Sequence, residues 1–99
     1  MLRMINPQHR VTIEYCVPCD YFDVTVRTAT EILERWAPIL VGVDLVTADK
    51  GKFRVTLDDR PVYDKAELKR LPEAGEVAGL LEPELGPALT WRKVRTEQT

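Results

Sequence analysis

No stretch of this chain approaches the ~20 consecutive apolar residues of a membrane-spanning helix. The opening Met1-Leu2-Arg3-Met4-Ile5-Asn6-Pro7 lacks the apolar core of a secretion signal. Both absences lead us to expect a cytoplasmic protein with no membrane partner. A basic excess is missing too: the formal charge is -2 and the pI about 5.4. That balance argues against a nucleic-acid partner, which needs a basic stripe. Histidine occurs once, at His9, and cysteine twice. A structural zinc site takes four ligands. One cysteine pair and one histidine fall short of that set unless the N-terminal arm folds back and a carboxylate or a second subunit completes it. No Ser/His/Asp set, glycine-rich phosphate loop or paired-carboxylate site stands out. Internal repeats, low-complexity tracts and domain linkers are absent as well.

What is there suits one domain spanning 1–99. The chain has 99 residues, 44% of them apolar and 30% charged, enough to bury a core without staples. Val11, Ile13 and Tyr15 alternate with Thr12 and Glu14, which predicts a half-buried strand. From Phe22 the period changes. Phe22, Val26, Ala29, Leu33 and Trp36 form one helical stripe, widened by Ile32, so this stripe should face the core. Pro38 should end the helix at Trp36 or Ala37. Ile39 to Val46 reads as a second strand, covered on both faces because it is almost wholly apolar.

Residues 48–51 carry turn chemistry. Phe53, Val55 and Leu57 then mark an amphipathic strand, Asp58-Asp59-Arg60-Pro61 a turn, and Val62-Tyr63 a fourth strand placed at an edge by Pro61. Residues 64–71 fit either a loop or one helical turn. Pro72-Glu73 should open the last helix, with Ala74, Val77, Leu81 and Leu85 on one face, Leu80 beside them, and a kink or frayed end at Pro83. The expected order is β-α-β-β-β-α, with a core over 10–86, a loose arm over 1–9 and a polar tail over 90–99. A helix between the first two strands makes them parallel. The short 48–52 connection would by itself suit a hairpin of the second and third strands.

The chemistry concentrates in Cys16-Val17-Pro18-Cys19, between the first strand and the first helix. Two thiols at this spacing and junction form the dithiol arrangement of redox proteins with a thioredoxin-like motif. In the cytoplasm structural disulfides are rare, which favours an active pair over a passive one. One sulfur would attack a substrate disulfide and the other resolve the mixed disulfide. A helix N-terminus would favour a thiolate by roughly 0.3–1 kcal/mol. Asp20 and Asp23 oppose it with negative charge, and Pro18 removes a backbone donor. A weakly stabilised thiolate makes the pair a reductant rather than an oxidant. A thiol titration placing either cysteine well below pH 6 would reject that expectation.

The pattern RVTIEYC-x-x-C-x-Y at 10–21, GKFRVTLDDRPVYDK at 51–65 and LPEAGEV at 71–77 resembles the Rdx family. This group contains selenoproteins W, T, V and H and their cysteine-only bacterial homologues. The resemblance spans roughly 10–86. It implies a thioredoxin-like fold: a four-stranded mixed sheet with two helices, the third strand antiparallel beside the first rather than beside the second. A handful of residues can cross one intervening strand at ~4.8 Å per strand.

The resemblance also implies redox work at Cys16 and Cys19: thiol-disulfide exchange with thioredoxin, glutathione or a client protein, and no cofactor beyond the cysteines. As an enzyme the chain would be a thiol-disulfide oxidoreductase. The alternative is a redox-sensitive interaction module with little turnover. The attacking sulfur stays open. Thioredoxin-like mechanics favour Cys16, whereas the position taken by selenocysteine in relatives corresponds to Cys19. No proline precedes the third strand, where thioredoxin itself carries one beside its dithiol. Of the other residues, Trp36, Phe22 and Tyr15 are expected in the core and His9 as a solvated arm residue; for Tyr21 an exposed apolar lip for a partner is the lesser alternative.

Overall fold

A computed structural model describes residues 7–93. β1 (His9–Cys16), α1 (Phe22–Trp36), β2 (Leu40–Ala48), β3 (Phe53–Leu57), β4 (Arg60–Asp64), α2 (Lys65–Leu68) and α3 (Glu76–Leu85) follow in that order. A 3-10 turn at Ala37–Ile39 holds Pro38 between α1 and β2. The sheet order is β2-β1-β3-β4. β1 and β2 are parallel, while β3 is antiparallel to both β1 and β4. The third strand therefore lies beside the first, as the resemblance implied, and the local hairpin with β2 does not form. Burial gives the reason. With β1 and β3 central, Val11, Ile13, Phe53, Val55 and Leu57 all reach zero exposure; a β2–β3 hairpin would push β1 to an edge and uncover part of that set.

α1 packs over β1 and β2, α3 over β4, and the two helices touch. The core lies between them and the sheet. Alternate strand residues on the opposite face form ion pairs, Arg10 with Asp44 at 2.9 Å and Arg54 with Asp64 at 3.2 Å across strands and Glu14 with Lys52, just before β3, at 3.4 Å. Asp58 and Asp59 both have positive φ, at 50° and 72°. They form the tight two-residue link between β3 and β4 that matches strand twist. Pro61 stands on β4, an outer strand, as expected.

Several expectations need correction. α1 buries Thr25, Thr28, Ala29, Ile32 and Trp36, a face rotated roughly 60° from the apolar stripe, given about 3.6 residues per turn. Phe22 is 55% exposed, and Val26 and Leu33 are exposed too. The two threonines explain the rotation. Their hydroxyls donate to the Tyr21 and Val24 carbonyls at 2.6 and 2.8 Å, so each buries as a β-branched methyl with its polar group satisfied. β2 is not covered on both faces. It is an outer strand with Val41, Leu45 and Val46 exposed.

α3 starts at Glu76 after Gly75 (φ 79°), not at Pro72. Residues 72–75 are held against α1 in a non-helical path by tertiary bonds: Arg27 donates to the Pro72 carbonyl at 2.6 Å, and the Gly75 N–H to Glu31 at 3.0 Å. Ala74 and Leu80 are consequently exposed, and Ala78 joins Val77, Leu81 and Leu85 in the core. The helix continues through Pro83 to Leu85. Region 64–71 holds the single turn α2, making three helices rather than two.

His9 belongs to β1 rather than to an arm, and its Nδ1 lies 2.6 Å from Asp58. The rest of the expected arm, 1–6, and the tail beyond 93 lie outside the described residues. The described part of the tail is docked. Leu89 N–H donates to the Arg35 carbonyl at 2.8 Å, and the Trp91 indole to the Glu34 carbonyl at 2.9 Å. These carbonyls belong to the last turn of α1, which leaves such groups without helical partners.

One ion pair carries a pH signature. Arg70 grips Glu76 with two bonds, at 2.7 and 2.8 Å. This grip, aided by the Glu73 N–H, holds the Glu76 carboxyl down from the ordinary 4.5 to about 2. The unfolded chain thus takes up the proton first as pH falls. The pair's contribution is complete above pH 4.5 and disappears as pH drops toward 2. Glu76→Gln should lower Tm at pH 7 and leave it unchanged at pH 2. Equal losses at both pH values would contradict this account.

Candidate functional site

β1 is the central strand that delivers Cys16 to the end of the sheet. There it pairs with Ala48 of β2. The connection 49–52 turns through Lys50 (φ 59°) and Gly51 (φ 76°) and crosses over the end of β1. It holds the cysteine segment by its backbone: Cys16 N–H donates to the Lys52 carbonyl at 2.8 Å, and Val17 N–H to the Ala48 carbonyl at 3.0 Å. Cys16 lies at zero exposure beneath this crossing. The chain then turns. Asp20 N–H bonds to the Val17 carbonyl at 2.9 Å, and Asp20 itself is left-handed at φ 60°, a conformation aspartate tolerates.

Cys19 lies in that turn and is exposed. The two sulfurs are joined in a disulfide across a Cα–Cα distance of 5.4 Å. One cysteine of the pair is sealed and the other open to solvent.

α1 begins only at Phe22, with Tyr21 as the flanking residue and no side chain capping the helix. The cysteines therefore precede the helix rather than open it. Tyr21 is half-buried and lies under the Lys65 ammonium, 5.8 Å from its ring centroid. The alternative of a freely exposed lip at Tyr21 is thus only half met. Asp20 and Asp23 are exposed beside Cys19. A shallow depression lined by Val17, Pro18, Thr47, Ala48 and Asp49 opens on the β2 side. A second, lined by Lys50, Gly51, Lys52, Arg54 and Lys65 among others, opens on the β3 side.

His9 stands at the opposite end of β1, roughly 23 Å from Cys16 at ~3.3 Å per residue, so those groups cannot share an ion. Among the described residues no cluster of three His, Cys, Asp or Glu side chains could hold a metal. Nor is any helix long and apolar enough to cross a membrane.

Sequence reasoning singled out both cysteines, and the structure brings them together. It missed the Ala48 and Lys52 carbonyls that pin the turn, and Lys65 over Tyr21. The turn signal at 48–51 was visible. What it crosses depends on strand order, which no local pattern encodes.

A solved protein of Bordetella parapertussis superposes with a TM-score of 0.73 at 27% identity, covering 78% of this chain and 98% of that one. A selenoprotein W-related protein of Vibrio cholerae gives 0.74 at 17% identity, covering 79% and 98%. Among curated proteins no match is found. These likenesses identify the architecture as thioredoxin-like. The Rdx family model matches residues 10–82, from the strand that carries Cys16 through most of α3, and the chain belongs to the Rdx family.

Proposed function

We propose that this protein carries out thiol-disulfide exchange at Cys16 and Cys19, with Cys19 as the attacking sulfur. The supporting observation is the asymmetry of the pair: Cys19 is exposed and Cys16 fully buried. A thiolate is the reacting species. Forming it at Cys16 would bury a charge with no solvent around it, which is costly. In the reduced protein the Cys19 thiolate attacks one sulfur of a client disulfide. The new bond joins Cys19 to that sulfur, and the client's other sulfur leaves as a thiolate. Cys16 then gives up its proton and attacks the Cys19 sulfur. The client's first sulfur departs with the electron pair, and the Cys16–Cys19 disulfide remains. Two electrons pass to the client, and a thiol reductant of the thioredoxin or glutathione class restores the dithiol. The cytoplasm, where thiols are kept reduced, is the compartment that suits this cycle.

Cycling the purified protein between dithiothreitol and glutathione disulfide tests the reading. Two titratable thiols should appear and vanish reversibly, and the reduced form should reduce a model disulfide. Thiols that fail to interconvert would remove the proposal. A second reading is a redox-sensitive binding module with little turnover. It draws support from Asp20 and Asp23 beside Cys19, since negative charge disfavours the attacking thiolate. Reversible interconversion without useful turnover would favour it.

A further inference from the structure

The two edges of the sheet differ in length and composition. β4 is 5 residues long, carries Arg60, Pro61 and Asp64, and has an irregular register against β3. Such features blunt an edge against pairing. β2 is 9 residues long and has neither proline nor lysine, and its one irregularity lies at its start, where Val41 is skipped between the His9–Leu40 and Arg10–Gly42 pairs. Its single charge, Asp44, is tied to Arg10 at 2.9 Å. Among the described residues β2 pairs with β1 alone, so its outer backbone groups have no strand partner there.

The uncovered stripe of α1 lies on the same side. Arg27 and Glu31 reach toward the α3 connection through Pro72 and Gly75. Phe22, Val26 and Leu33 lie roughly 140° around the helix from them, on the flank above β2. Exposed Val41 and Leu45 extend this apolar surface along the edge strand. At its upper end the surface meets the disulfide turn, in the depression lined by Val17, Pro18, Thr47, Ala48 and Asp49. Asp49 lines that depression, and Asp20 and Asp23 follow Cys19 within four residues; all three are exposed. None has an ion-pair partner among the described residues. Asp49 stands between this depression and the one on the β3 side, where Lys50, Lys52, Arg54 and Lys65 are mixed with Asp64.

We infer that the free edge of β2, with the Phe22–Val26–Leu33 flank of α1, docks an extended apolar segment of a client protein whose cysteine is flanked by lysine or arginine. The inference rests on the thiol-exchange reading above and names its substrate class. An extended backbone supplies the hydrogen bonds an open edge lacks. Alternate apolar side chains fit the α1 flank, and the flanking cations meet the three aspartates where the segment passes Cys19.

The test uses two synthetic peptides. Each has an alternating valine–threonine run and one cysteine capped as its mixed disulfide with mercaptoethanol, flanked by lysines in one and glutamates in the other. Hydroxyethyl disulfide serves as a small neutral control. The lysine peptide should react about 10-fold faster than the glutamate peptide at low salt, with the gap closing at high salt. Asp23→Asn with Asp49→Asn should close it likewise. Val41→Lys with Leu45→Lys should slow both peptides while leaving the hydroxyethyl disulfide rate unchanged.

The serine version of the lysine peptide should slow amide hydrogen exchange in β2. This readout involves no sulfur chemistry. Loss of all exchange chemistry with β2 protection intact would sink the redox reading and keep the docking site. Equal peptide rates without protection would overturn the docking site alone. A dimer that Val41→Lys with Leu45→Lys converts to monomer would also overturn it, because a second copy would then own the edge.

Discussion

Cys16→Ser should still capture disulfides and stop at the mixed disulfide, whereas Cys19→Ser should reduce exchange to the rate seen without protein. The expectation follows from where the two sulfurs lie. Cys19 occupies an exposed turn, and Cys16 is sealed at the end of β1 beneath the 49–52 crossing. A client disulfide can approach Cys19 without rearrangement. Reaching Cys16 would require the crossing to lift and break the bonds from Cys16 N–H to Lys52 and from Val17 N–H to Ala48. Once Cys19 holds the client, Cys16 needs no path to solvent, because its target is the neighbouring sulfur across a 5.4 Å Cα separation. Intact-mass measurement after exposure to glutathione disulfide reads the result directly. The serine variant at 16 should gain one glutathione, and the variant at 19 should gain none. The reverse pattern would assign the attack to Cys16 and refute the argument from burial.

Trp36→Ala should be the most damaging core substitution, costing about 3–5 kcal/mol. Trp36 is the largest fully buried side chain, and its indole donates to the Gly86 carbonyl at 2.9 Å, tying the end of α1 to the end of α3. Small domains hold only ~5–15 kcal/mol in total, so this loss should lower Tm by roughly 15–30 °C. Trp36→Phe retains most of the volume and forfeits the bond, for about 1 kcal/mol. Phe22→Ala is the informative control. Phe22 and Trp36 belong to the same apolar stripe in the sequence, so a core role for that stripe makes both substitutions costly. With Phe22 55% exposed, its loss should stay within about 0.5 kcal/mol. Denaturant titration of the three variants checks this, and a cost at Phe22 comparable to that at Trp36 would restore the stripe to the core.

The same contrast explains how much could be read beforehand. β3 was legible because Phe53, Val55 and Leu57 alternate strictly and all three are buried. The β3–β4 turn was legible because Asp58 and Asp59 tolerate left-handed backbone. The end of α1 at Trp36 follows from the chemistry of Pro38. α1's buried face was not legible, since threonine counts as polar until its hydroxyl is seen to bond within the helix. The α3 start was misplaced because Arg27 and Glu31, both on α1, claim the backbone of Pro72 and Gly75. The apolar run of β2 signalled burial, yet the strand became an edge.

The sequence by itself determined the strands and helices, their order and the cysteine pair, because these depend on spacings within a few residues of one another. Tertiary structure decided that β3 crosses to β1, which the local pattern opposed and only the family resemblance implied, that this crossing seals Cys16 while Cys19 stays open, and that an apolar edge is left uncovered. Those outcomes depend on which distant segments bury one another, and burial is settled by the whole chain at once rather than by any local pattern.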